Sequence, residues 1–252
     1  MQRVFFIVIS VITLSIMLMC TAGKEIRSKL ILHNTKLNDG HHDVEIHISN
    51  GQGFNHPTYV IWEEDYEGNY IRTIYITRSY ASGSFGRQML GDSMWLNTSG
   101  SSHQPAALPY WTHKKGLIDA KNLIPTPENP YVDAYSSATL QQNFTLTSKV
   151  GKENNKYKLL LEVNQSWDWN HFWTNNKYPE SRAYKNSAQP SVIYAVSINN
   201  EQDQFFMNPI GHGDPKGESG KLFTDLSTLT SSRDIFREIR IEIRKNNSTK
   251  RS

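Results

Sequence analysis

The chain is poor in cysteine and in net charge. Cys20 is the one cysteine among 252 residues. A lone thiol cannot form an intramolecular disulfide, and it cannot supply the several thiolates of a structural zinc or iron–sulfur site. The 27 Lys+Arg nearly balance the 24 Asp+Glu, for a net charge of +3. Nucleic-acid-binding domains usually carry a strong basic patch, so this balance argues against a nucleic-acid binder.

Hydrophobic residues are also scarce, at 37% of the chain, whereas aromatic residues reach 11%. The 12 Tyr and 6 Trp are too many for a disordered chain. A chain of 252 residues is long enough to bury a substantial core. The composition therefore predicts a soluble, aromatic-rich globular protein.

The N-terminal residues resemble an export signal. Arg3 precedes an apolar run over residues 4–19, and small residues follow it up to Ala22. The run is shorter than the roughly 20 residues of a membrane-spanning helix. This length favours a signal peptide, comprising residues 1–22, and argues against a membrane anchor. Alternatively, Cys20 is the acylated first residue of a lipoprotein. In both cases we expect a periplasmic or otherwise extracytoplasmic protein, which contacts a membrane only through a possible lipid anchor.

Short strand-like runs recur along the chain. Ile239, Ile241 and Ile243 alternate with charged residues, which is typical of a half-buried strand. The runs 59–62 and 70–76 flank a loop with turn residues, which indicates a hairpin.

Many such strands, separated by turn signals, predict an all-β fold. We expect one antiparallel, immunoglobulin-like β-sandwich with long elaborated loops over residues 23–245. The polar residues 246–252 indicate a flexible tail.

Residues 133–139, with the sequence DAYSSAT, are the most informative segment. They resemble the acceptor motif of proteins modified by bacterial flavin transferases. The resemblance implies that Thr139 carries flavin mononucleotide (FMN) through a phosphoester bond and that Asp133 is the fixed acid of the motif. Ser136, Ser137 and Ala138 would be the short side chains that let the transferase approach. Most acceptors have glycine at the position of Ser137.

A wider resemblance covers most of the chain between about Ile46 and Arg244. It is carried by residues 59–65, 68, 71–73, 133–139, 161–164, 166–170, 189–195 and 211–214. These segments resemble a family of predicted periplasmic proteins, domain of unknown function 2271. Members of this family are encoded beside flavin transferases and membrane redox proteins. This association implies that the protein takes part in extracytoplasmic flavin-linked electron transfer.

A covalently bound flavin would need an aromatic surface on which its ring can stack. Trp167 and Trp169 are the candidates for this role, together with Phe172 and Trp173. The commoner use of such aromatic residues is to fill the core and anchor loops.

Catalytic and metal-binding patterns are weak. His41, His42 and Asp43, or His171 with Asp168, could ligate a metal, but their spacing matches no familiar site. We find no nucleophile–base pattern and expect neither a metal site nor independent catalysis.

The alternative to a flavin carrier is a periplasmic, non-catalytic module that binds a glycan or a protein and holds no cofactor. Tyr110, Trp111, Trp167, Trp169 and Trp173 would then form a platform on which sugars stack. A third possibility is a scaffold for a membrane redox complex. The partners expected for the carrier are a flavin transferase and a membrane redox protein.

Overall fold

The computed structural model describes residues 30–86, 88–90, 94–98, 100–116, 124–151, 156–199 and 201–244. The predicted signal peptide with Cys20 and the predicted tail 246–252 lie outside the described residues. In the first half the strands are β1 Leu30–His33, β2 His42–Asn50, β3 Thr58–Glu64, β4 Tyr70–Thr77, β5 Ser84–Phe85, β6 Gln88–Leu90, β7 Met94–Leu96, β8 Gly100–Ser101 and β9 Tyr135–Ser137. The later strands are β10 Phe144–Val150, β11 Tyr157–Asn164, β12 Val192–Ile198, β13 Gln204–Phe206, β14 Asn208–His212 and β15 Phe236–Arg244. The helices are α1 Arg78–Ser82, α2 Pro109–Lys114 and α3 Arg182–Ser187, with a 3-10 turn at Ser231–Asp234.

Two large sheets pack against each other, which confirms the predicted all-β sandwich. Sheet A has the strand order β1-β10-β2-β15-β13, and sheet B has the order β14-β12-β11-β3-β4-β9. Both sheets are mixed rather than purely antiparallel. The edge strand β1 runs parallel to β10, and the edge strand β9 runs parallel to β4. A parallel neighbour needs a long crossover connection. The strands β2–β9 lie between β1 and β10 in the sequence, and α1, β5–β8 and α2 lie between β4 and β9.

The main core lies between the two sheets. Sheet A contributes Val44, Ile46 and Ile48 of β2, which alternate with polar residues on its outer face. Sheet B contributes Leu159 and Leu161 of β11. The predicted alternation in β15 is confirmed, because Ile239 and Ile241 are buried in this core.

A second core covers the other face of sheet B. Trp62, Leu160 and Ile193 are buried there. They pack against Trp111 of α2 and against Leu108, the residue just before this helix. Burial on both faces explains why β3 and β11 are nearly continuous apolar runs rather than alternating ones. Within the described residues, none of the helices has the length and apolar character needed to cross a membrane.

Candidate functional site

The predicted acceptor segment forms the edge strand β9 and the loop that follows it. Tyr135, Ser136 and Ser137 pair with the end of β4 in parallel register. Ala134, just before the strand, is buried in the second core and anchors the segment there. Asp133 and Ala138 are exposed at the two ends of β9. The segment is therefore held at its centre and reachable from solvent at both ends.

Thr139 is half-buried and lies in the loop, two residues after the end of β9. Its hydroxyl donates a hydrogen bond to the main-chain carbonyl of Pro57 at 3.1 Å. The preceding residues carry only short side chains, and Gln141 and Gln142 beyond it are exposed. A half-buried threonine beside small and solvated neighbours fits a group attached through Thr139 Oγ1.

Ser137 does not need the conformational freedom of the glycine that most acceptors have at this position. It lies in the extended backbone of β9, outside the left-handed region. Its hydroxyl contacts the Tyr75 hydroxyl at 2.9 Å and donates to the Ala138 carbonyl at 3.1 Å. The Tyr59 hydroxyl in turn donates to Tyr75 at 3.5 Å, so a chain of hydroxyls leads from the core to the segment.

The two predicted stacking tryptophans lie in the loop that follows β11. The side chain of Trp167 is 55% exposed, and its backbone has φ +68°. Trp169 is half-buried and packs edge-on against Tyr184, with ring centroids 5.5 Å apart. Trp167 can therefore present an aromatic face to a ligand, whereas Trp169 mainly supports the core.

The acceptor segment and these tryptophans lie at the same end of sheet B. β9 and β4 end there, β3 begins there, and β11 ends there at Asn164. The strand order separates the ends of β9 and β11 by three strand spacings, about 14 Å. The Pro57 loop lies between them, since the Asn55 amide donates to Gln165 at 2.6 Å. The structure thus brings the acceptor segment and the two tryptophans to the same end of sheet B, but Trp167 does not stack on Thr139.

The aromatic residues predicted as one sugar platform are used in other ways. Trp111 is fully buried, and its indole nitrogen donates to the Thr73 hydroxyl at 2.9 Å. Tyr110 belongs to the same second core. Trp173 is buried in the main core, and its indole nitrogen donates to Thr228 at 3.2 Å. These three rings therefore cannot form one exposed platform with Trp167.

A different aromatic cleft, of about 980 Å³, opens beside Trp173. His212 and Phe223 stack in its wall with centroids 5.2 Å apart and an interplanar angle of 11°. Phe172 is half-exposed at its rim, and the Lys177 ammonium lies 3.4 Å from the centroid of that ring. Burial lowers the pKa of His212, which favours the neutral imidazole. We refer to this feature as the aromatic cleft.

Three of the weak metal candidates of the sequence have other partners. Asp43 forms an ion pair with Lys149 at 2.8 Å, and His42 stacks on Tyr157. Asp168 accepts a short hydrogen bond from Ser231. Sequence reasoning expected no metal site, but the structure brings Glu45, His47 and Glu242 together on the outer face of sheet A.

Only part of the cluster of Glu45, His47 and Glu242 can be predicted from the sequence. The two-residue period of β2 places Glu45 and His47 on one face, and this is readable from the sequence. The partner Glu242 lies on β15, and its position opposite Glu45 depends on a strand register that no local pattern specifies.

Comparison with protein-family models, with curated proteins and with solved structures finds no match to this chain.

Proposed function

We propose that the protein is an exported accessory or carrier protein of flavin-linked electron transfer, which bears covalent FMN on Thr139. The observation that carries the proposal is the placement of the Thr139 hydroxyl. The residue is half-buried two positions after an edge strand, and the short side chains of residues 136–138 precede it in a segment that resembles a flavin acceptor motif. A hydroxyl sealed in the core would not support this function.

The surroundings of Thr139 indicate that a separate enzyme must attach the group. Formation of a phosphoester requires the hydroxyl to lose its proton, and its one hydrogen-bond acceptor here is the Pro57 carbonyl, which is not a base. A flavin transferase would supply the base and a flavin dinucleotide, whose phosphoanhydride bond breaks as the bond from Thr139 Oγ1 to the FMN phosphorus forms, with the nucleotide monophosphate as the leaving group. The exposed Asp133 and Ala138 leave both ends of the segment accessible to such a partner.

When attached, the flavin would supply reversible electron transfer, and the protein would supply attachment, orientation and shielding. Thr139 would hold the phosphate, and the half-exposed Trp167 at the same end of sheet B offers an aromatic face. A membrane redox protein outside the cytoplasm is the partner class that would exchange electrons with such a carrier.

The test is co-expression of the full chain with a bacterial flavin transferase of proven activity, followed by intact-mass spectrometry. We expect the mass increase of one esterified FMN and a yellow protein. Thr139→Ala should be colourless and unmodified, whereas Thr174→Ala, at an exposed threonine outside the acceptor segment, should still be labelled. An unmodified wild-type chain, or a label on a residue other than Thr139, would refute the proposal.

A second candidate function, non-catalytic glycan binding, is favoured by the aromatic cleft. Its wall exposes part of Phe172 and Phe223, and flat aromatic faces of this kind can pack against the C–H groups of a sugar. The acidic residues Asp214 and Asp225 also line it and could accept hydrogen bonds from hydroxyl groups.

Binding of soluble neutral and acidic oligosaccharides, followed through tryptophan fluorescence, tests this second function. Phe223→Ala should weaken binding about 10-fold or more, because it removes the stacked wall of the cleft. Phe206→Ala, an exposed phenylalanine on β13, is the matched control and should bind like wild type. Equal affinity in the two variants would exclude the cleft as the glycan site.

A further inference from the structure

The outer face of sheet A carries a cluster of three ionisable side chains. Glu45 and His47 are two residues apart on β2, so both point away from the main core, opposite to Val44 and Ile46. Glu242 on β15 is the direct cross-strand partner of Glu45. Two glutamates opposite each other in an antiparallel pair repel, unless a positive charge lies between or beside them.

The three side chains converge on one point. His47 Nε2 lies 3.3 Å from Glu45 Oε2 and 3.2 Å from Glu242 Oε2. The side chains of His47 and Glu45 are only 10% and 8% exposed, and that of Glu242 is 38% exposed. His47 Nε2 is buried and forms no hydrogen bond with any residue that the structure describes. A buried imidazole nitrogen therefore faces two carboxylate oxygens.

The second ring nitrogen of His47 has its own partner. Nδ1 lies 2.9 Å from the hydroxyl of Thr145, which is the cross-strand neighbour of His47 on β10. If Nδ1 carries the ring proton and donates it to Thr145, the lone pair of Nε2 points at the two carboxylates. Ligating histidines in metal sites are usually held in this way by a hydrogen bond from the other ring nitrogen.

Each glutamate divides its two oxygens between different partners. Arg244 binds Oε1 of Glu45, and Arg240 binds Oε1 of Glu242, so each Oε2 is the oxygen that faces His47. The two arginines offset the two carboxylate charges, and they also fix the orientation of both carboxyl groups. The cluster thus contains three donor atoms, and neighbouring side chains fix the orientation of each.

We infer that Glu45, His47 and Glu242 form a binding site for one divalent first-row transition metal ion of the zinc type. Four ligands at about 2.0–2.1 Å from a tetrahedral zinc ion lie about 3.3–3.4 Å apart, and the two nitrogen–oxygen distances here are close to that value. All three donor atoms lie within 4.8 Å of one another. One imidazole and two carboxylates are ligands that suit Zn²⁺.

A fourth ligand can reach the site from solvent. The side chain of Glu242 is 38% exposed. His47 also lines a groove of about 560 Å³ with Gln141, Asn143 and Arg237, although neither of the two glutamate ligands lines that groove. Three protein ligands and one open position are typical of zinc sites that bind water or a further ligand. Because Arg240 and Arg244 already balance the glutamates, a bound Zn²⁺ would leave the site positive and favour an anionic fourth ligand.

The experiment is zinc titration of the chelator-treated full chain by calorimetry, with metal content measured after dialysis. We expect one Zn²⁺ in this site, and about 100-fold weaker binding or none in His47→Gln. Thr145→Val should weaken affinity about 10- to 100-fold, because Thr145 orients the imidazole without touching the metal. His171→Gln, at an exposed histidine on the loop after β11, is the matched control and should bind like wild type.

Thermal unfolding separates a lost site from a lost fold. Zinc should raise the unfolding temperature of wild type and of His171→Gln, and leave that of a folded His47→Gln unchanged. Glu242→Gln, at the most exposed of the three ligands, provides a second folded variant that should also lose the zinc response. Zinc affinity equal to wild type in His47→Gln and Glu242→Gln, or no zinc binding by wild type, would overturn the inference.

Discussion

The carboxylate of Glu162 accepts a 2.6 Å hydrogen bond from the hydroxyl of Ser191, in a part of the second core that solvent does not reach. It also accepts bonds from the main-chain amides of Tyr110 at 3.1 Å and Trp111 at 2.7 Å. One carboxylate therefore joins β11, the residue before β12 and the first turn of α2. Burial outweighs these hydrogen bonds and raises the pKa of Glu162 to about 7.

The raised pKa predicts that the contribution of Glu162 to stability falls as the pH rises. In the unfolded chain this carboxyl has its ordinary pKa of 4.5, so the folded state holds the proton more tightly. The contribution of Glu162 to the free energy of unfolding is greatest below about pH 4.5. It falls between about pH 4.5 and 7, by roughly 3 kcal/mol in total. Urea unfolding at pH 5 and pH 7.5 measures this change.

Glu162→Gln isolates the contribution of this group. The variant cannot ionise, so its free energy of unfolding should fall less than that of wild type between the two pH values. Glu67→Gln, on the exposed loop of the β3–β4 hairpin, is the control and should keep the wild-type pH dependence. The same pH dependence in Glu162→Gln and wild type would show that Glu162 is ionised throughout.

Gly213 allows the chain to pass directly over this buried group. A Cβ atom there would lie 2.5 Å from Ser191 Oγ and 2.7 Å from Pro109 Cγ. We expect Gly213→Ala to lower the free energy of unfolding by about 1–3 kcal/mol, because the packed surroundings must move. Gly86 has no atom within 4 Å of such a Cβ, and Gly86→Ala should change stability by less than about 0.5 kcal/mol. Equal losses in urea unfolding would refute the packing argument.

The strands could be predicted from the sequence because burial follows a local period. Ile239 and Ile241 alternate with charged residues, and the structure buries both in the main core. The parallel pairing of β9 with β4 could not be predicted, since it depends on where a connection of more than 50 residues brings the chain back. Local patterns specify which residues form strands, and they do not specify which strands become neighbours.

The candidate sites divide in the same way. The acceptor segment is contiguous, so its residue types are visible in the sequence, and the structure adds only the partial exposure of Thr139. The cluster at His47 depends on a register between β2 and β15 and could not be predicted. The glycan-binding alternative places Trp111 on a surface platform, but its segment covers the second face of sheet B.

Trp167 offers a test of local strain at the candidate stacking residue. Its φ of +68° lies in the left-handed region, which side chains other than glycine adopt at a cost of about 1 kcal/mol. We therefore expect Trp167→Gly to be more stable than Trp167→Ala by about 1 kcal/mol in urea unfolding. The two variants lose the same indole ring, so their difference reports only the backbone. Equal stabilities would mean that the loop relaxes once the ring is gone.

The hydroxyl chain behind the acceptor segment should show energetic coupling. Ser137→Ala leaves the buried Tyr75 hydroxyl without its serine partner, and Tyr75→Phe removes the acceptor of the Tyr59 hydroxyl. Each change should lower the free energy of unfolding by about 1–3 kcal/mol. The double variant should lose less than the sum of the two, by roughly 1 kcal/mol, because the Tyr75–Ser137 bond can be lost only once. A full double-mutant cycle in urea measures this difference. Losses that add within about 0.3 kcal/mol would show that the two hydroxyls do not stabilise each other.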